Sequence, residues 1–338
     1  MEKILEILCC LECKGDLELS NEGLSCKRCL EKYPIIDNIA RFVPEGYYKL
    51  TRDAQNIEEK TKNYFGFEWD YFKDWGFIPD ESVSEEKRLE YTGGMVSSRK
   101  MAFDSKCRMT EEDLAENKIV LDAGCGNGRY TYEAATRGKA LVIGVDIGYG
   151  SVLSAYQNTK DLDNVIILQA SLFNLPFKDR VIDSAFSNGV LMHTGDAKKA
   201  FVEIARTVKS KGVFVAHLYH RLNPVWEFND WLLRAFTTRL SIDSCLKLSK
   251  FLARVAKTVN HIPNGLRFTN LFLRLQPSII HMYDWYSAPI ATHHTYDEVE
   301  EWVGKTGFGI IESKKPDKER LLSKPWSLTV KGRKIQDG

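Results

Sequence analysis

The stretch KIVLDAGCGNGRYTYEAATRGKALVIGVDIG, Lys118 to Gly148, restricts the fold more than any other part of the chain. Ile119 to Leu121 is a short apolar run that reads as a buried strand. Gly124, Gly126 and Gly128 make a turn that lets backbone approach a ligand closely. A helix is expected from about Asn127 to Arg137, stopped by Gly138. A second apolar run, Leu141 to Val145, ends on Asp146. Strand, glycine turn, helix and strand form the first half of a doubly wound nucleotide-binding sheet, whose ligand lies at the carboxyl ends of the strands. The glycine spacing narrows the ligand. A dinucleotide fingerprint is G-x-G-x-x-G; here the order is G-x-G-x-G, and Arg129 falls where the third glycine would stand. Asp122 puts negative charge beside the loop, which opposes a pyrophosphate and suits a cofactor carrying an ammonium and a sulfonium. Asp146 can accept hydrogen bonds from ribose hydroxyls.

These residues resemble motifs I and II of the class I S-adenosylmethionine-dependent methyltransferases of the UbiE-like kind. The resemblance covers roughly residues 116–220 and resumes near 280. It implies an α/β fold with a Rossmann-like, doubly wound, seven-stranded sheet, and cofactor contacts at Asp122, Gly124, Gly126 and Asp146. NVIILQASLFNLPF reads as the third strand and its loop. There the family carries an acid for the adenine amino group and then an apolar residue, and here those positions are Ser171 and Leu172. RVIDSAFSNGVLMHT reads as the fourth strand, with Ser187, Asn188 and His193 at its end, where the family places methyl group and acceptor. KGVFVAHLYH is the fifth strand.

The N-terminus carries a different chemistry. Cys10 and Cys13 form one C-x-x-C pair and Cys26 and Cys29 another, with twelve residues between. Leu17 and Leu19 alternate before Asn21, Glu22 and Gly23, so the intervening chain can form a hairpin that brings the pairs together. Four thiolates around a tetrahedral ion is the closed, structural type of zinc site, with no open position for catalysis. Cys9 is a spare neighbour that can replace Cys10. With LEKYPIIDNIARFVP after them, these cysteines resemble the small zinc ribbons that activate tRNA and protein methyltransferases. Leu11 stands where that family usually has proline.

The expected organisation is a zinc ribbon over 1–46, an aromatic-rich linker or lid over 47–115, a cofactor-binding methyltransferase domain over 116–220 and 281–338, and a basic helical insertion over 221–280 after the fifth strand. The lid expectation rests on NYFGFEWDYFKDWGF, Asn63 to Phe77. In the insertion, Leu248, Phe251, Leu252, Val255 and Val259 keep helical spacing beside a stripe of Lys247, Lys250, Arg254 and Lys257. The chain as a whole is +1, but Trp231 to Ile280 holds eight Lys and Arg against one acid, 8 − 1 = +7, which leaves about −6 elsewhere. Such asymmetry suits an anionic partner: RNA, a phosphorylated substrate or a membrane surface touched peripherally. No run approaches the roughly 20 apolar residues of a transmembrane segment, no signal peptide is read, and paired cysteines without a disulfide pattern fit a cytoplasmic setting.

Thr295 and Glu298 have capping-box spacing, so a helix is expected from Tyr296. Asp284, His293 and His294 precede it. The two histidines are the sequence's candidates for the base that removes an acceptor proton, with Asn188 and His193 lining the pocket. The overall expectation is in-line methyl transfer to a small molecule, such as a sugar, a natural-product intermediate or a lipid-linked precursor. The alternative acceptor is an RNA base, because a zinc ribbon ahead of this fold also resembles large-subunit rRNA guanine methyltransferases; Phe65, Trp69 or Trp75 would then stack on unpaired bases.

Overall fold

The computed structural model describes residues 1–47, 57–77, 99–313, 315 and 326–335. Parts of the 47–115 segment, and Lys324 and Pro325 before the last strand, lie outside the described residues. At the N-terminus, β1 (Leu17–Ser20), β2 (Gly23–Cys26) and β3 (Lys32–Tyr33) form a three-stranded sheet, followed by β4 (Ile35–Ile36) and β5 (Ile39–Phe42). Helices α1 (Ile57–Tyr71) and α2 (Arg99–Lys106) lead into the alternating part: β6 (Ile119–Ala123), α3 (Arg129–Arg137), β7 (Leu141–Asp146), α4 (Tyr149–Thr159), β8 (Val165–Ala170), β9 (Ile182–Asn188), α5 (Ala197–Thr207) and β10 (Val208–Tyr219). Four helices follow, α6 (Pro224–Thr237), α7 (Ile242–Asn260), α8 (Gly265–Thr269) and α9 (Ile279–Ser287). The chain closes with α10 (Tyr296–Lys305), β11 (Phe308–Ser313) and β12 (Ser327–Lys334).

The central sheet runs β11-β12-β10-β9-β6-β7-β8-β5-β4. Strands β6 to β10 are parallel, and β12 runs antiparallel between β10 and β11. Strands β6 and β7 are buried along nearly their whole length, as expected where helices cover both faces of a parallel sheet. The seven expected strands are β6 to β12. Two more join them: β5 pairs in parallel with the outer edge of β8, Ala40 opposite Leu168, and β4 completes a short hairpin beyond it. An uncovered edge strand presents unpaired N–H and C=O groups, and this hairpin satisfies those of β8. Residues 35–42 therefore belong to the central sheet rather than to a separate ribbon. Buried Arg41 reinforces the seam by donating to Gln169 Oε1 at 2.9 Å.

The aromatic helix α1 lies across the carboxyl end of the sheet. A side chain on Gly150 would come within 2.2 Å of the Gly66 carbonyl, so α1 and α4 meet at two glycines. Ser154 donates to the Trp69 carbonyl at 3.1 Å, and Tyr64 donates to the Tyr283 carbonyl at 2.6 Å while its ring stacks on that of Tyr283. These contacts hold α1 between α4 and α9. The capping box at Thr295 and Glu298 opens α10 as expected.

Candidate active site

A cavity opens at the carboxyl ends of β6, β7, β9 and β10 beneath α1. Among its lining residues are Gly124, Gly126, Asp146, Ser171, Leu172, Asn188 and His193. The glycine loop forms its floor. Gly124 and Gly126 have φ of +91° and +53°, and an added Cβ would fall 2.3 Å from Val190 and 2.8 Å from the Trp69 ring. Both positions therefore require glycine for conformation and for space. Asp146 holds the loop by accepting from Gly126 N at 3.0 Å and Gly148 N at 2.8 Å. Asn127 ties the loop to the chain after α1, donating to the carbonyls of Lys73 and Trp75.

Two residues expected at the cofactor stand behind the wall instead. Asp122 is buried under the loop and accepts from Thr131 Oγ1 at 2.7 Å. Ser187 donates to the Ala123 carbonyl at 2.8 Å, because strand alternation turns it away from the cavity that the next residue, Asn188, lines. Burial pushes the Asp122 carboxyl up to about 7 despite the Thr131 hydrogen bond. Its ionised form is the one that attracts a cationic ligand above the loop. Affinity for a sulfonium-bearing cofactor should therefore rise as pH increases toward and past 7, by up to about tenfold per unit below that value. Titration calorimetry across pH 6 to 8 checks this, and Asp122→Asn should flatten the dependence.

The far end of the cavity is built from α1, α9 and the ends of β9 and β10. His193 Nδ1 lies 2.6 Å from the Ile290 carbonyl. A carbonyl only accepts, so Nδ1 carries the hydrogen and Nε2 keeps a free lone pair. That Nε2 is buried and has no partner among the described residues; Asp284 Oδ1 stands 4.0 Å away. Burial lowers the His193 pKa, which favours the neutral ring. Tyr219 donates to the other Asp284 oxygen at 2.7 Å, and Phe65 and Tyr219 pack on the imidazole. Asp284 is thus on helix α9 and inside the cavity. Glu68 also lines this end, is 1% exposed, and has a buried Oε2 without a partner; burial first and Asp284 second push its pKa well above the usual carboxyl value. A neutral Glu68 presents an O–H donor to the cavity.

His293 and His294 do not reach this cavity. The segment before α10 runs alongside the end of β10, with Thr292 N bonded to the Met192 carbonyl and His294 N to that of Tyr219. It thereby gives His193 its Ile290 carbonyl and carries the later side chains away. His293 Nδ1 pairs with Glu227 Oε2 at 2.7 Å and its ring stacks on Trp285. His294 Nε2 pairs with Thr292 Oγ1 at 2.8 Å, and its ring meets Trp302. Both line a second, separate hollow with Arg221, Glu227 and Asp230. Of these three histidines, only His193 lines the cavity that holds the glycine loop. Glu68 and Tyr219 were missed in sequence, although Glu68 sits one helical turn from Phe65 and Tyr219 ends the fifth strand.

At the N-terminus the four expected thiols converge. The sulfur atoms of Cys10, Cys13, Cys26 and Cys29 all lie within 4.8 Å of one another, and Cys9 is outside the group. Cys9 instead anchors the module, its N–H donating to the Pro176 carbonyl at 3.0 Å. Backbone N–H groups of Cys29 and Arg28 point at Cys26 Sγ and hold its thiol down to about 6.

The strand order 3-2-1-4-5-7-6 across β6 to β12, with a glycine loop and an acid ending the second strand, is the arrangement of the class I S-adenosylmethionine-dependent methyltransferase fold. Residues 114–259 match the family described as "Methyltransferase domain". Among curated proteins, the chain is 29% identical over 146 residues to an uncharacterized chloroplastic methyltransferase of Arabidopsis thaliana, covering 40% of this chain and 41% of that one. It is 32% identical over 119 residues to a tRNA (carboxymethyluridine(34)-5-O)-methyltransferase of the same plant, covering 34% and 28%. Among solved structures, magnesium protoporphyrin IX methyltransferase from Synechocystis with bound S-adenosylhomocysteine aligns at 16% identity and a TM-score of 0.47, covering 82% of this chain and 98% of the other. The chain spans less than half the length of the curated relatives it matches.

Proposed function

We propose that the protein transfers a methyl group from S-adenosylmethionine to a hydroxyl of a small-molecule acceptor, with His193 as the general base. The observation that carries this reading is the unpartnered His193 Nε2 in the same cavity as the glycine loop and Asp146. The cavity suits the cofactor: two glycines leave room that a Cβ would fill, and Asp146 and the free Asn188 Oδ1 offer acceptors. Gly124, Gly126, Asp146, Ser171, Leu172 and Asn188 would hold it. Bound there, it supplies an electrophilic methyl group on sulfur.

The chain's own residues supply the rest. Phe65, Trp69 and Leu172 exclude water, which strengthens every charge interaction in the site. His193 Nε2 takes the acceptor proton, the Ile290 carbonyl fixes the ring, and Asp284 balances the imidazolium that forms. Glu68 and Tyr219 orient the acceptor's polar groups. The roof of α1 favours a compact acceptor over a nucleic acid. The exposed Lys247, Arg254 and Lys257, together with tRNA-modifying relatives, favour an RNA base as the second reading. Methyl-labelled cofactor, offered with an extract from cells lacking the gene, separates the two. Label in a small or lipid-soluble fraction supports the first reading, and label that nuclease removes supports the second.

The four thiolates fit a structural zinc, since separations of 3.4 Å between Cys13 and Cys26 and 3.5 Å between Cys10 and Cys29 match neighbours around one tetrahedral ion. The purified chain is expected to contain one zinc per molecule. Cys26→Ser should lose it and lower the melting temperature, as read by metal analysis and calorimetry. A metal-free chain with an unchanged melting temperature would refute the assignment.

A further inference from the structure

Helix α6 is amphipathic in the reverse sense. Its polar residues face the protein. Asp230 accepts from Trp285 Nε1 at 2.8 Å, Arg234 donates to the carbonyls of Trp285 and Ala288, Thr237 donates to that of Tyr286, and Glu227 holds His293. Trp226 also packs inward, but five other apolar residues of the helix face outward. Val225, Phe228, Trp231, Leu232 and Phe236 recur at helical spacing, and Trp231 and Phe236 are 63% and 64% exposed. A surface helix normally does the opposite, turning its apolar stripe to the core. The apolar face continues onto the end of α8 and the chain after it: Asn229 and Asn223 donate to the Phe272 and Leu271 carbonyls, and Phe272 packs on exposed Phe268. Arg267 lies beside Phe268, and Arg239 follows α6. Both are exposed and neither has an ion-pair partner among the described residues, nor do Lys247, Arg254 and Lys257 on α7.

We infer that α6 and the Phe268–Phe272 segment form a docking face for an anionic lipid bilayer, with the rings at the headgroup boundary and the unpaired Arg and Lys side chains on the phosphates. The charge decides the occupant. With Arg234 and Arg274 turned inward, the exposed charges between Trp231 and Ile280 are Arg239, Lys247, Arg254, Lys257 and Arg267 against Asp243, 5 − 1 = +4, which complements an anionic leaflet and would repel a second copy of itself. Exposed aromatic rings flanked by basic groups are the composition of interfacial helices. The inference rests on the surface alone and does not depend on the acceptor.

The test is co-sedimentation of the full chain with vesicles of phosphatidylcholine alone and of phosphatidylcholine mixed with phosphatidylglycerol, at low and high salt. Binding is expected on the mixed vesicles only, weakened by salt. Trp231→Ser with Phe228→Ser should weaken it by roughly tenfold or more, and Lys247→Glu with Arg254→Glu should abolish the preference for anionic lipid. Cofactor affinity, measured in parallel, should stay unchanged in all variants, which excludes misfolding. No sedimentation with either vesicle overturns the inference. So does binding that the ring variants leave intact while RNA competes it away, or a dimer that the ring variants dissolve without any vesicle binding.

Discussion

Replacing His193 with glutamine should lower kcat by a factor of about 10² to 10⁴, the usual worth of a positioned general base, and leave cofactor affinity unchanged. Glutamine can keep a donor toward the Ile290 carbonyl, so the packing of Phe65 and Tyr219 has little reason to change. The pH profile adds a second readout. Because burial depresses the His193 pKa, the base stays neutral below the ordinary histidine value, and kcat should hold level as pH falls through about 6.5. It should drop only at lower pH. Single-turnover rates with the identified acceptor give both quantities. Full activity in the variant would remove the base and point to an acceptor carbon or amine that needs none.

Asp146→Ala should weaken cofactor binding by about tenfold to a hundredfold. Losing hydrogen bonds to a charged group is worth about 1.5–3 kcal/mol, and this carboxylate also holds Gly126 N at 3.0 Å, so the loop beneath the ligand loosens as well. Calorimetry with S-adenosylhomocysteine measures the loss without turnover. Asp146→Asn keeps an acceptor but no charge and should fall between. An unchanged affinity in Asp146→Ala would mean that the ribose lies elsewhere.

The two halves of the site differ in how far the sequence discloses them. The cofactor half is local: strand, glycine turn, helix and acid follow one another within Lys118 to Gly148, and each position is constrained by its neighbours. Even there the period of a strand matters. Ser187 and Asn188 are adjacent, yet one grips the Ala123 carbonyl from behind and the other lines the cavity. The acceptor half is assembled from distant segments. Two adjacent histidines ahead of a capped helix look like catalytic groups, but their placement depends on where residues 290–294 run, and pairing beside β10 sends His293 to Glu227. What that segment contributes is a backbone carbonyl, which no side-chain pattern reveals. Glu68 reads as one acid in an aromatic run, and only the docking of α1 on Gly150 turns it inward. The basic insertion was legible as charge. That Arg234 faces inward while Phe228 and Trp231 face out was not.

The hairpin on the edge of the central sheet has a consequence for how the chain is born. Ala40 pairs with Leu168, a separation of 168 − 40 = 128 residues. During synthesis the cysteine module leaves the ribosome long before its partner strand exists, so it must gather its thiols while strand β5 is still uncovered. Closing so long a loop is slow relative to local pairing, which leaves a window in which an early-made strand is exposed to other chains. The order of translation thus lets the four thiols converge early in folding and makes the joining of that edge one of the last.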